Sequence, residues 1–125
     1  MTVDRKQVLS TLWIFVMFNY IYADILMLIV NPAMYQKAAA AMTPVVVLAL
    51  AILMEIPIAM MLLSRVLPYR ANRWANIIAG VESSAFVAVT LRGNVPYYYV
   101  FFASLEIACT LFIVWFAWSW RSPQN

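Results

Sequence analysis

Apolar residues fill four long stretches of the chain, and polar residues interrupt each stretch only at isolated positions. The stretches are residues 10–30, 44–64, 74–91 and 97–120, of which the third is the least hydrophobic. A helix that crosses a membrane needs roughly 20 predominantly apolar residues. The pattern therefore predicts four transmembrane helices.

The segments between these stretches are short and contain turn residues. Residues 31–44 read "NPAMYQKAAAAMTP", residues 65–73 read "RVLPYRANR", and residues 92–96 read "RGNVP". The alanine run in the first connection predicts a short helix at the membrane interface. Short connections between long helices favour antiparallel packing of neighbours. The predicted fold is therefore all-α, an integral membrane four-helix up-down bundle formed by residues 1–125 as a single domain.

The composition supports a membrane protein and removes several kinds of chemistry. The chain is 66% hydrophobic and 10% charged, whereas soluble domains are about 45–50% apolar and about 25% charged. A single cysteine rules out an internal disulfide, and the absence of histidine rules out imidazole metal ligands and Ser-His or Cys-His catalysis. With only Gly80 and Gly93, no phosphate-binding glycine loop forms. No motif implies a cofactor or a metal, and the charge of +3 is too small and scattered for nucleic acid.

The basic residues predict the orientation of the helices. Six of them lie on one side of the predicted membrane and two on the other. The first group is Arg5, Lys6, Arg65, Arg70, Arg73 and Arg121, and the second is Lys37 and Arg92. Because loops rich in Lys and Arg stay in the cytoplasm, we expect both termini to be cytoplasmic. The first apolar stretch is too long for a signal peptide and has no cleavage site after it, so we expect it to be retained.

Four of the five acidic residues fall inside the predicted spans, one in each helix. They are Asp24, Glu55, Glu82 and Glu106. With a rise of about 1.5 Å per residue, each lies within about 6 Å of the centre of its span. No Lys or Arg shares this layer. Because an ionised carboxylate at a helix centre costs about 2.5–3.5 kcal/mol, we expect the layer to hold shared protons, water or a bound cation.

Further candidate residues accompany the acids. They are Asn19, Tyr20, Tyr22 and Tyr99. Tyr20 and Asp24 are four residues apart and so share a helix face, and Tyr99 shares a side of its helix with Glu106. Glu55 lies on one stripe with Ala51 and Ala59, which predicts that it faces the interior of the bundle. In the alternative interpretation, such polar residues only connect helices through hydrogen bonds worth about 0.6 kcal/mol each.

Three stretches carry a resemblance to a known family: "STLWIFVMFNYIYADIL" (10–26), "AILMEIPIAMMLLSRVLPYRANRWANIIAG" (51–80) and "YYYVFFASLEIACTLFIVWFAW" (97–118). They resemble an uncharacterised bacterial family of small four-helix membrane proteins, and the resemblance includes Asp24, Glu55 and Glu106. It implies a multi-pass protein of the bacterial inner membrane. Residues 96–112, "PYYYVFFASLEIACTLF", are more weakly similar to the DoxX-like proteins, which implies a subunit of a larger membrane complex.

Three functional hypotheses remain open from the sequence. In the first, the intramembrane carboxylates bind or move a proton, a cation or a lipophilic small molecule, with the aromatic residues lining the pocket. In the second, the protein is an accessory subunit of a larger membrane complex. In the third, a protonated and an ionised carboxyl act together as acid and base on a lipid, which would make it an enzyme. The expected partners are the lipid bilayer, such a small ligand, and a second copy of the chain or a larger complex.

Overall fold

A computed structural model describes residues 4–121 and shows an all-α protein, as predicted. Its helices are α1 (Arg5–Val30), α2 (Pro32–Ala40), α3 (Pro44–Val66), α4 (Tyr69–Thr90) and α5 (Tyr97–Trp118). The short helix predicted in the first connection is α2. Helices α1 and α4 each begin five residues before the apolar stretch that predicted them, because helix formation continues into polar sequence where the apolar pattern ends.

Local sequence explains where the helices begin. The Asp4 carboxylate accepts a hydrogen bond from the backbone N–H of Lys6, and the Thr43 hydroxyl accepts one from the N–H of Val46. These side chains satisfy backbone donors that have no partner inside the helix. Pro68 and Pro96 directly precede α4 and α5, where an extended residue before the first turn suits proline.

The four long helices pack in a ring. Helix α1 contacts α3 and α5, and α4 contacts the same two helices from the opposite side. Helix α4 approaches α5 closely at Gly80, where an added Cβ would lie 2.5 Å from Cγ2 of Val114 and 3.1 Å from the carbonyl oxygen of Thr110. Glycine is therefore required for this spacing of the two helices. Helix α2 packs against α1.

A buried hydrogen-bond network connects three of the helices towards one end of the ring. The indole N–H of Trp13 on α1 donates to Oδ1 of Asn76 on α4 at 2.7 Å, and the Ser64 hydroxyl of α3 donates to the same oxygen at 3.2 Å. The amide of Asn76 donates to Asn72, whose own amide donates to the carbonyl of Ser64 at 2.7 Å. We call this the asparagine network. Its members are fully buried, so each of these polar groups needs its partner.

The same end of the ring carries most of the basic side chains. It comprises the start of α1, the α3–α4 turn and the end of α5, and we call it the basic end. Arg5 donates to the carbonyl of Phe116 at 2.8 Å, and Arg65 donates to the hydroxyl of Ser10 at 3.0 Å. These bonds join the start of α1 to the ends of α5 and α3. Neighbouring helices in the ring therefore run in opposite directions.

Three helices in the described part of the chain, α1, α3 and α5, are long and apolar enough to cross a membrane. Their outward faces expose many large apolar side chains, and α3 is the least buried of the three. Such a continuous apolar surface is typical of contact with lipid and not with water. These observations are consistent with residence in a membrane. Helix α4 is of similar length but more polar.

Candidate functional site

A small cavity lies between the four long helices, away from the basic end. Its volume is about 50 Å³. It is lined by Tyr20, Ala23, Asp24, Met54, Phe86, Val87, Thr90, Tyr99 and Glu106. Because one water needs at least about 10–15 Å³ of such volume, the cavity accommodates on the order of three or four waters. It therefore fits a small polar occupant.

Glu106 is the buried acid of this cavity. It belongs to the face of α5 that packs into the ring, and only 5% of its surface is exposed. Its backbone carbonyl accepts a hydrogen bond from the Thr110 hydroxyl at 3.0 Å. Its carboxylate takes no part in the hydrogen bonds found within residues 4–121. The structure thus brings a carboxylate into the ring without giving it a donor from the protein.

Asp24 contributes the second carboxyl group of the cavity. It follows Tyr20 by one helical turn on α1, and both line the cavity as their spacing predicts. Asp24 is exposed, whereas Glu106 is buried. The cavity therefore reaches the molecular surface beside Asp24. The arrangement places one acid at an entrance and the other inside.

Tyr20 presents its hydroxyl group in the same place. The side chain is 9% exposed, and its hydroxyl oxygen is fully buried and has no hydrogen-bond partner within residues 4–121. A buried polar group left without a partner costs about 1–3 kcal/mol. Tyr99, from α5, lines the cavity as well. A polar occupant that bonds to the Tyr20 hydroxyl would recover this cost.

The other two predicted acids are placed differently. Glu82 is half-buried on α4, outside the cavity lining, where its carboxylate accepts a 3.4 Å hydrogen bond from Ser83. Glu55 is exposed on α3, and its inward orientation predicted from the stripe with Ala51 and Ala59 was wrong. Helix α3 instead buries Pro57, Met60 and Ser64. Spacing shows which residues share a face, but on a helix that is apolar all round it does not show which face turns inward.

Comparison with known proteins identifies the family. Residues 1–125, the whole chain, match a family of unknown function, DUF6326.

The chain belongs to the DUF6326 family. This agrees with the resemblance to an uncharacterised family that the sequence predicted. The comparisons show neither a similarity to the DoxX-like proteins nor a bacterial origin, and both stay predictions. No curated protein and no solved structure matches the chain significantly.

The remaining predicted site residues of the DUF6326 chain lie outside the cavity lining. Tyr22 is exposed and stacks on Phe18, with ring centroids 6.4 Å apart. Asn19 is buried, but its amide donates to the carbonyl of Phe15 in its own helix at 2.9 Å. Neither side chain forms a hydrogen bond with Glu106 within the described residues.

Sequence reasoning missed several residues that line the cavity in the DUF6326 chain. They are Ala23, Met54, Phe86, Val87 and Thr90. Thr90 is the polar one, and its hydroxyl donates to the carbonyl of Val87 at 2.6 Å. The other four are ordinary apolar residues of membrane helices, so no residue type distinguishes them. Among these five residues, only Thr90 could have been chosen from the sequence as a candidate site residue, because it is a polar residue at the end of α4.

The arrangement suits a proton or a single small cation. Within residues 4–121, no three His, Cys, Asp or Glu side chains are close enough together to hold a metal ion. Two carboxyl groups and two tyrosine hydroxyls remain as the polar groups that line the cavity beside Thr90. At low dielectric two carboxylates repel strongly, and a positive charge between them removes that repulsion.

Proposed function

We propose that this protein is a multi-pass membrane protein whose cavity at Asp24 and Glu106 binds or passes a proton or a small cation. The buried Glu106 carboxylate, without a donor from the protein, is the observation that carries the proposal. An ionisable group inside a membrane protein is costly and by default a functional candidate. The proposal retains the carboxylate hypothesis of the sequence and reduces its acids from four to two.

The size of the cavity favours a small occupant. A volume of about 50 Å³ is well below the roughly 300–1,000 Å³ of sites that enclose drug-sized ligands. A proton on a short water chain, or an ion of the size of ammonium, fits this space. A whole lipophilic molecule does not, so the volume favours a proton or a small ion over the lipid-modifying enzyme.

The ring supports four membrane spans. Helix α4 has 22 residues, which gives about 33 Å at a rise of about 1.5 Å per residue and matches a hydrocarbon core of about 30 Å. It packs between α3 and α5, both of which are long and apolar enough to cross. Its buried polar residues, including Asn76 and Ser83, face the ring and not the lipid. We therefore propose an up-down bundle with both termini in the cytoplasm of a bacterial cell.

Replacement of Glu106 tests the proposal. Purified protein in liposomes that contain a pH-sensitive dye is expected to equilibrate an imposed proton or ammonium gradient, and Glu106→Gln is expected to slow this at least tenfold. The change keeps the shape of the side chain but removes its negative charge. Glu55→Gln is the matched control, because Glu55 is an acid of a neighbouring helix that lies outside the cavity.

The control variant is expected to behave as the unmodified protein does. Equal fluxes in the Glu106→Gln variant and the unmodified protein would contradict the proposal. An equal loss in both variants would also contradict it, since the effect would then not belong to the cavity.

The exposure of Glu55 favours a second candidate, a subunit of a larger assembly. Glu55 lies midway along α3, the least buried of the three apolar helices. A carboxyl group that faced lipid there would cost about 2.5–3.5 kcal/mol. Contact with a donor on a second copy or on another membrane protein would reduce this cost. Ala51 and Ala59, one turn away on each side, leave room for a close approach.

The variant Glu55→Leu distinguishes partner contact from lipid contact. If Glu55 binds a partner, we expect the leucine variant to lose the complex in native mass spectrometry of membranes solubilised in mild detergent. If Glu55 faces lipid, leucine removes the free-energy cost of placing a carboxyl group in lipid. The assembly then has the same composition in the variant as in the unmodified protein. Leu62→Ala, which changes another exposed residue of α3, is the control and is expected to keep the complex.

A further inference from the structure

The basic end of the ring has a groove that the proposed function does not use. The groove consists of two adjoining open pockets that share Tyr69 and Arg73. Their volumes are about 680 Å³ and about 610 Å³. The residues that line them are Tyr69, Arg70, Arg73, Trp74, Trp118, Ser119, Trp120 and Arg121. We call this the basic groove; none of its lining residues is acidic.

Arg73 is held in place at the centre of the groove. Its Nε donates to the carbonyl of Ala117 at 3.1 Å, and its Nη2 donates to the carbonyl of Trp118 at 2.9 Å. Its guanidinium lies 5.5 Å from the ring centroid of Trp74 and 5.2 Å from that of Trp118. A guanidinium group has five N–H donors, so three remain for a ligand. Because the side chain is already fixed, little conformational entropy is lost when they bind.

Arg70 and Arg121 add two exposed positive charges at the edges of the groove. Neither takes part in a hydrogen bond or a salt bridge within the described residues. They differ in this from Arg5 and Arg65 of the same end, whose guanidinium groups bond to neighbouring helices. Three arginines around an open space whose described lining contains no acid form a site for an anion with several oxygens, such as a phosphate.

The aromatic residues indicate where that phosphate comes from. Trp74 and Trp118 pack edge to face with centroids 6.3 Å apart, and each exposes about half of its surface. Exposed tryptophans at the ends of membrane helices lie at the level of the lipid head groups. The groove therefore opens at the depth of lipid phosphates, next to apolar helix faces along which acyl chains lie.

We propose that the basic groove binds the phosphate of an anionic phospholipid, with Arg73 as the fixed donor and Arg70 and Arg121 as the charges that select a negative head group. The proposal needs the membrane placement of the proposed function but not the carboxylate cavity. The flux of the Glu106→Gln variant tests the carboxylate cavity, and the lipid retained by the protein tests the basic groove. A negative result in one experiment therefore leaves the other proposal standing.

The test measures lipid retained by the full-length protein. Protein in detergent is incubated with phosphatidylglycerol or with phosphatidylcholine, and bound lipid is counted by native mass spectrometry. We expect the protein to retain phosphatidylglycerol in preference. Since each basic residue near an anionic surface contributes about fivefold in affinity, Arg70→Gln/Arg121→Gln is expected to bind phosphatidylglycerol about 30-fold more weakly. Arg121→Gln alone is expected to lose about fivefold and replaces the double variant if that one does not fold.

The matched control removes the same charge from the opposite end. Lys37→Gln/Arg92→Gln changes two exposed basic residues outside the groove and is expected to change the affinity less than twofold. An equal loss in both double variants, or equal retention of the two lipids, would overturn the proposal. Inorganic phosphate at millimolar concentration is expected to leave the bound lipid in place, and its displacement of the lipid would assign the groove to free phosphate instead.

Discussion

At the scale of single residues, identical residue types have different roles according to the direction in which they face. Glu106 is buried beside the unpartnered hydroxyl of Tyr20, whereas Glu55 is exposed on the outside of α3. The sequence places both acids near the middle of an apolar stretch and so groups them by depth. It contained no information on orientation for α3, because that helix has no polar face to contrast with an apolar one.

The hydroxyl of Tyr20 provides a prediction at this scale. Tyr20→Phe removes a buried group without a partner, so we expect the free energy of unfolding to rise by about 1 kcal/mol when no cation is present. The same variant is expected to lose the stabilisation that ammonium gives to the unmodified protein. Both are measured by thermal denaturation in detergent with and without ammonium. Tyr22→Phe, on an exposed tyrosine of the same helix, is expected to change neither value.

At the scale of helices, the existence of the elements was predictable and their contacts were not. The apolar stretches located α1, α3, α4 and α5, and the alanine run located α2. The small polar face of α4 around Gly80 was recognisable because glycine, asparagine and serine recur there at helical spacing. That Asn76 meets Trp13 and Ser64 was not predictable, since it depends on the order of the helices in the ring.

The asparagine network provides the prediction at the helix scale. Asn76→Ala leaves the indole N–H of Trp13 and the hydroxyl of Ser64 without their acceptor. We expect the free energy of unfolding to fall by about 2 kcal/mol or more, measured by denaturation in mixed micelles.

Asn19→Ala is the control for this variant. Asn19 is also buried, but its amide bonds only to the carbonyl of Phe15 within α1. We expect this variant to lose less than about 1 kcal/mol, because no second helix depends on that bond. Equal losses in the two variants would show that the network does not hold the helices together.

At the scale of the whole molecule, the distribution of basic residues predicts which end faces the cytoplasm. The ring places the start of α1, the α3–α4 turn and the end of α5 together, which are the segments that carry six of the eight basic residues. The segments that the charge pattern assigns to one side of the membrane are thus the segments that the packing of the helices brings to one end of the ring. The direction across a membrane follows from the charge rule alone.

Labelling of cysteines tests this orientation. In a Cys109→Ser background, Gln7→Cys and Lys37→Cys place single thiols at exposed positions at opposite ends of the ring. A reagent that does not cross membranes is expected to label position 37 from outside intact cells and position 7 only after the membrane is opened. Labelling of both positions from the same side would contradict the four-span topology.

The asparagine network also has a consequence for permeability. Between the cavity and the basic end, Trp13 and Ser64 both donate hydrogen bonds to Asn76 in a fully buried layer. In the proposed topology, buried groups whose hydrogen bonds are already satisfied therefore lie between the cavity and the cytoplasmic side. If the protein passes ions as proposed, an ion that moves from the cavity to the basic end has to cross this layer, and we expect the hydrogen bonds of Asn76 to limit the rate of that flux.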